Sequence, residues 1–255
     1  MKKIALITGA TSGIGKACAF KFAENNYNLI ITGRRKERLE ELQKEITQRF
    51  NIEILVLNFD VREKEAVEEA INSLNSAWRK IDVLLNNAGL SVGLNQIQDG
   101  LYEDWERMID TNIKGLLYVS RNVMPIMIEN GSGHIINIGS IAGKETYPKG
   151  NVYCSTKYAV DSLTKAMRID MVEHGIKVTQ IAPGAVETEF SIVRFKGDKE
   201  KADNVYNGFE PLKAEDVAEV TYYATTLPKH VNINDLLLMP TAQANSVQFH
   251  KVIKD

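Results

Sequence analysis

Short runs of aliphatic and β-branched residues alternate with longer segments whose apolar positions recur every three or four residues, and the alternation persists to about Met239. Runs that are apolar at successive positions belong to strands covered on both faces, whereas recurrence at three and four residues belongs to helices with one buried stripe. Seven runs read as buried strands, over residues 3–8, 28–32, 53–59, 83–85, 133–138, 177–181 and 235–239. Six amphipathic segments between them predict helices over residues 14–25, 36–50, 64–77, 102–130, 152–174 and 214–227. Strands alternating with helices in this way define βαβ units, so the expected fold class is α/β, a doubly wound parallel sheet of seven strands with helices on both faces.

No Pro/Gly/Ser-rich linker, low-complexity run or internal repeat interrupts the chain, and residues 1–255 read as one domain. Residues 186–211 break the rhythm, with Phe190, Phe195, Tyr206 and Phe209 spread among Arg194, Lys196, Asp198 and Lys199. Ligands of such sheets sit at the carboxyl ends of the strands. An irregular insertion after the sixth strand would overhang that edge, and it reads as a substrate lid, with an ordinary surface excursion as the alternative.

The first strand runs straight into Thr8-Gly9-Ala10-Thr11-Ser12-Gly13-Ile14-Gly15 and then a helix. Backbone N–H groups at such a turn, together with the helix dipole, favour an anion. Gly9 suits a tight turn, Gly13 lets the backbone approach a pyrophosphate, and Gly15 lets helix and strand pack closely. The spacing is neither G-x-G-x-x-G nor a P-loop, which would end in G-K-[S/T], so ATP hydrolysis loses support. The form T-G-x-x-x-G-I-G resembles the nucleotide turn of the short-chain dehydrogenase/reductase family. The resemblance implies a Rossmann-type single domain with cofactor contacts at Gly9, Thr11, Ser12, Gly13, Ile14 and Gly15.

After the second strand, where a carboxylate would accept hydrogen bonds from the ribose of NAD, the chain has Gly33-Arg34-Arg35. Two guanidiniums form forked, charge-assisted bonds to a phosphate, so Arg34 and Arg35 predict NADP(H). The family resemblance continues at Asp60-Val61, which corresponds to its adenine contact, and at Asn86-Asn87-Ala88-Gly89, which matches its N-N-A-G motif. It implies that Asn87, Ala88 and Gly89 border the cofactor, with Asn87 toward the ribose. Pro183-Gly184-Ala185-Val186-Glu187-Thr188 resembles the family's P-G motif, which implies contacts of Pro183, Gly184, Val186 and Thr188 around the nicotinamide carboxamide.

Tyr153 and Lys157 are four residues apart in a helical segment and so share a face. An ammonium close to a phenol typically lowers its pKa from about 10 by roughly 1–3 units, which would make Tyr153 a workable base. Ser140 follows the fifth strand, where its hydroxyl can hold a substrate oxygen beside Tyr153. These residues resemble the family's Ser-Tyr-Lys triad, with Asn112 of Thr111-Asn112-Ile113-Lys114-Gly115 as the fourth member in a proton relay through the lysine. Asn and Gly are poor residues for a helix interior, a local rule broken as functional sites often break it. The resemblance also implies that Tyr153 and Lys157 contact the cofactor and that Tyr153 moves the alcohol proton while a hydride passes to or from nicotinamide. No metal is expected, because the four histidines share no ligand spacing with one another or with the two cysteines.

Composition narrows the picture without changing it. The 255 residues are 44% hydrophobic and 25% charged, which excludes a disordered chain, and 31 basic against 33 acidic residues leave a net charge of −2, so no nucleic-acid partner is expected. Apolar runs are far shorter than the ~20 residues that cross a bilayer, and no signal peptide is apparent, so no membrane partner is expected. Two cysteines make no disulfide framework and point to the cytoplasm.

Beyond the shared motifs, Gly139-Ser140-Ile141-Ala142-Gly143, Val186 to Ser191, Val193 to Asp198 and Val231-Asn232-Ile233-Asn234 are similar to the branch of NADP-dependent 3-hydroxy acid dehydrogenases. That resemblance implies a small acid such as serine or allo-threonine as substrate. Arg194 in the lid, with Lys149 after Ser140, is the candidate for its carboxylate, although either could be a solvated surface charge. A sulfonate substrate, a broad carbonyl reductase and an NADP(H)-binding sensor without turnover remain alternatives. Homotetramers are usual in the family, and the segments 102–130 and 152–174 are the expected subunit faces.

Overall fold

The computed structural model describes residues 2–252. Seven strands, β1 (Ile4–Ile7), β2 (Asn28–Gly33), β3 (Ile54–Asn58), β4 (Ile81–Asn86), β5 (His134–Ile138), β6 (Lys177–Pro183) and β7 (Asp235–Leu238), form one sheet in the order 3-2-1-4-5-6-7. Every pairing is parallel. The order reverses between β1 and β4, and the crevice at the carboxyl ends of these two strands is where such sheets take ligands.

Successive strand residues point to opposite faces, and both faces are buried. Ala5 and Ile7 of β1 pack with Phe22 of α1 (Gly13–Glu24), Leu39, Leu42 and Ile46 of α2 (Lys36–Thr47) and Val217 of α9 (Ala214–Thr226). Ile4 and Leu6 pack on the other side, with Val67 and Ile71 of α3 (Lys64–Asn72), Val119 and Val123 of α5 (Leu116–Asn130) and Val160 and Met167 of α6 (Asn151–Met171). The apolar spacing in each helix is the stripe that one sheet face requires.

Three expectations change. Helix α3 stops at Asn72 rather than near residue 77, because Asn75 Oδ1 accepts from the backbone N–H groups of Ala77 and Trp78 and turns the chain. The single helix expected over residues 102–130 is α4 (Tyr102–Ile109), a π-helical turn (Asp110–Gly115) and α5. Gly115 lies against Val61, where a Cβ would meet the valine at 2.7 Å. Apolar periodicity does not register one widened turn, so the sequence pattern reads straight through it. Residues 186–211 are not irregular throughout, for they carry two short helices, α7 (Phe190–Arg194) and α8 (Lys199–Asn204).

That segment is pinned at its base by a bridge between Val186 and Leu212. It is pinned further out by the Gly93 N–H on the Arg194 carbonyl at 3.0 Å and by a Lys196–Asp104 ion pair at 2.8 Å.

Candidate active site

The turns after β1 and β4 hold each other. Thr8 Oγ1 accepts from the backbone N–H groups of Asn87 and Ala88, each at 3.0 Å, and Asn87 Nδ2 donates to the Thr8 and Gly9 carbonyls at 2.9 and 3.2 Å. Gly9 and Gly13 have φ of +66° and +51°, a left-handed backbone that glycine adopts freely. A Cβ on Gly15 would collide with the Gly9 carbonyl and the Asn87 amide. The glycines therefore press a bare backbone turn against the N-terminus of α1, and the cleft in front of it is lined by Gly9, Thr11, Ser12, Gly13 and Ile14. That cradle fits a pyrophosphate.

Asn87, Ala88 and Gly89 border the same cleft, as do Asp60, Val61, Pro183, Gly184, Val186 and Thr188. Asn87, expected toward the ribose, lines the cleft while its amide nitrogen is held by the Thr8–Gly9 turn. At the β2 end the cleft is lined by Arg34, Arg35 and Glu189. Arg35 donates to Thr11 Oγ1 at 2.7 Å, to Ser12 Oγ at 2.9 Å and to Glu189 at 3.2 Å. Arg34 lies 3.8 Å from Asp60, whose main partner is Arg62 at 2.7 Å.

At the other end stand Ser140, Tyr153 and Lys157. Ser140, with extended backbone, caps a short 3-10 turn, accepting from the Ala142 N–H at 3.1 Å. Its hydroxyl also faces the Tyr153 hydroxyl, so an oxygen in the cleft would meet both. Gly143 lets this turn touch α6 at the Lys157 backbone, where a Cβ would lie 2.5 Å from the Lys157 carbonyl. That contact sets Ser140 beside Tyr153.

Lys157 is buried and donates to the Ile138 carbonyl at 2.9 Å, and burial pushes its ammonium down to about 8. Tyr153 departs from the sequence expectation. Burial raises its hydroxyl above the ordinary value, outweighing the opposing Arg194 charge and Ser140 hydroxyl. Desolvation exceeds the help of the Arg194 charge, so Tyr153 rests as the neutral acid.

Asn112, in the π turn, stands behind the cleft wall. Its Oδ1 accepts from the Leu90 N–H and its Nδ2 donates to the Leu90 carbonyl, both at 2.8 Å, and to Thr156 Oγ1 at 3.0 Å. A Cβ on Gly89 would have Asn112 Oδ1 at 3.3 Å and Lys157 Nζ at 3.6 Å as neighbours. The widened turn thus directs an amide at the Leu90 backbone, next to Gly89 and Lys157.

Arg194 lies over the Tyr153 ring at 5.2 Å and donates to Tyr147 at 2.9 Å and Ser91 at 3.2 Å. Lys149 does not line the cleft; it lines a small neighbouring cavity with Trp105 and Asn151, which Ser91 and Tyr153 also border. Sequence reasoning passed over Ser91, Tyr147 and Arg38, and placed Glu189 and Phe190 in the segment after β6 without giving either a role. Arg38 follows Arg35 by three residues on α2 and so was open to a helical-neighbour argument. Ser91 and Tyr147 lie far along the chain from their partner Arg194 and carry no motif.

A doubly wound sheet with a glycine turn, an arginine pair and a Ser-Tyr-Lys group in one cleft defines a dinucleotide-dependent oxidoreductase. The short chain dehydrogenase family model matches residues 3–199, and the chain belongs to that family. It is 49% identical to sulfoacetaldehyde reductase 2 of Chromohalobacter salexigens over 96% of each chain. It is 48% identical to the NADP-dependent 3-hydroxy acid dehydrogenase of Salmonella typhi, over 94% of this chain and 96% of that one. Among solved structures, the closed form of serine dehydrogenase complexed with NADP+ superposes with a TM-score of 0.90 at 46% identity, covering 98% of this chain and 100% of the other. Among the described residues, no helix is long and apolar enough to cross a membrane.

Proposed function

We propose that the protein is an NADP(H)-dependent oxidoreductase interconverting a small 3-hydroxy acid, such as serine or allo-threonine, with its oxo form. The observation that carries this reading is a single cleft that runs from Arg34 and Arg35, past the glycine turn, to Ser140, Tyr153 and Lys157. The arginines would take the 2′-phosphate, the glycine turn the pyrophosphate, and Pro183, Gly184, Val186 and Thr188 the nicotinamide amide. When bound, the nicotinamide supplies or accepts the hydride.

The remaining chemistry belongs to this chain. Tyr153, neutral at rest, gives its proton to the carbonyl oxygen in reduction and is then reprotonated from solvent; in oxidation it first releases its proton to solvent and, as tyrosinate, takes the proton of the alcohol. Ser140 holds that oxygen with its hydroxyl, whose hydrogen turns from Tyr153 to the substrate. Lys157, mostly charged at neutral pH, stabilises the tyrosinate that forms, and Asn112 positions the backbone beside it. Arg194, steadied by Tyr147 and Ser91, receives the acid group. Residues 186–211 act as the lid that carries Arg194 to this place.

A second reading keeps the chemistry and replaces the carboxylate by a sulfonate, since the donors of Arg194, Tyr147 and Ser91 can serve either anion. The reductase relative of Chromohalobacter salexigens favours it. Exposed Tyr102, Leu117 and Ile128 on α4 and α5, with Ile169 of α6 and Val172 just after it, support a subunit contact on these helices, and the homotetramer usual in the family is the assembly proposed. The two free, buried cysteines suit a reducing cytoplasm.

The test follows nicotinamide absorbance with NADP and NAD against L- and D-serine, allo-threonine, 3-hydroxyisobutyrate, 3-hydroxypropionate and isethionate, with Tyr153→Phe as the blank. Turnover of hydroxy acids with NADP supports the first reading. Selective isethionate turnover supports the second. Silence with NADPH still bound overturns both and leaves an untested carbonyl substrate or a sensor.

A further inference from the structure

Glu189 sits where a cofactor phosphate is expected. Its carboxylate meets Arg38 through both oxygens at 2.9 Å and Arg35 at 3.2 Å, and it lines the cleft that Arg35 lines. The sequence separation is 154 residues for the Arg35 pair, so the contact joins the loop after β6 to the start of α2. Burial raises the Glu189 carboxyl, but hydrogen bonds and charge from Arg38 and Arg35 prevail and hold it below its usual range. It is an anion at neutral pH.

We propose that Glu189 is a cofactor-specificity residue, an internal anion that occupies Arg35 and Arg38 and that a 2′-phosphate must displace, with Arg38 completing the phosphate subsite. The inference rests on the NADP(H) reading above. A carboxylate and a phosphate both seek the forked donors of guanidinium, and two anions on one arginine pair repel each other. A 2′-hydroxyl brings no charge, so NAD(H) leaves the Glu189 pairing intact. The competition therefore acts on one cofactor and not on the other. Glu189 immediately precedes α7, the helix that carries Phe190 against Tyr153 at 5.6 Å and ends at Arg194, so its release frees the base of that helix.

The experiment is equilibrium binding of NADPH, NADH and 2′,5′-ADP to the full chain by calorimetry, for wild type, Glu189→Gln, Glu189→Asp and Arg38→Gln, at low and at high salt. Glu189→Gln is expected to tighten NADPH and 2′,5′-ADP by about threefold to tenfold at low salt, less at high salt, and to leave NADH unchanged. Glu189→Asp falls between, and Arg38→Gln weakens both phosphate ligands. Glu189 is exposed enough that these variants fold, and unchanged melting temperatures check this. If Glu189→Gln binds NADPH no tighter than wild type, or tightens NADH equally, the inference is overturned while the cofactor reading stands. If wild type binds NADH as tightly as NADPH, the cofactor reading itself falls, and the inference with it.

Discussion

The Arg194 guanidinium donates to the Tyr147 hydroxyl at 2.9 Å while lying 5.2 Å above the Tyr153 ring. One side chain from the segment after β6 is thus held by a tyrosine that precedes α6 and suspended over a tyrosine within it. A long, flexible cation is preorganised next to the proposed proton donor, and little of its rotamer entropy remains to be lost when an acid binds.

Removing this cation should separate acidic from neutral substrates. Arg194→Met is expected to raise KM for 3-hydroxy acids by about 10- to 100-fold and to leave KM for uncharged alcohols nearly unchanged, with Tyr147→Phe milder in the same direction. Steady-state kinetics on matched acid and alcohol pairs decide it. Equal KM changes for both would remove the acid-binding role from Arg194.

Loss of the Tyr153 hydroxyl should abolish proton transfer without emptying the cleft. Tyr153→Phe is expected to lower kcat by about 100- to 10,000-fold, because a positioned acid or base contributes on that order. NADPH titration by fluorescence is expected to show affinity close to wild type. Substantial turnover in the Phe variant would transfer the proton role to another group.

The glycine turn should tolerate no side chain at residue 15. Gly15→Ala places a methyl group against backbone, so the β1 turn or the Asn87 amide has to move. NADPH affinity should fall at least about tenfold, and stability by roughly 1–3 kcal/mol, as for overpacking in a tight interior. Chemical denaturation and NADPH titration measure the two, and wild-type affinity would mean that the turn does not hold the cofactor.

Acid should act through His134. This imidazole is buried on β5 against Thr179 Oγ1 at 2.7 Å, and burial, aided by Lys177, pushes it down to about 3 from 6.5. The unfolded chain binds the extra proton between these values, so stability falls as pH drops from about 6.5 toward 3. The loss reaches roughly 4 kcal/mol at the acid end. In His134→Gln the fall should be shallower by that amount, as read from denaturant midpoints against pH. Parallel curves for the two proteins would dismiss His134 as the cause.

Much of the architecture was legible because it rests on periods that a sequence displays. Strands buried on both faces, such as Ile4–Ile7, and helices with one apolar stripe, such as Leu39, Leu42 and Ile46 in α2, had one arrangement in which to bury everything. The glycine turn and the Tyr153–Lys157 pair were equally readable, since backbone approach and a four-residue spacing are local requirements. The π turn at Asn112 left only a trace, two residues unsuited to a helix, because a widened turn hardly disturbs apolar spacing.

What the sequence alone determined was therefore the sheet, its ligand edge, the family and most of the residues around the cleft, all expressed through short-range spacing. Only the tertiary structure decided what those residues meet. It gave Arg194 the Tyr147 and Ser91 partners, set Glu189 on Arg35 and Arg38, and raised the Tyr153 hydroxyl where proximity to Lys157 had suggested lowering. Each of these is a contact or a degree of burial between segments distant along the chain, and such quantities leave no period in a sequence because they come into being only when the sheet closes them together.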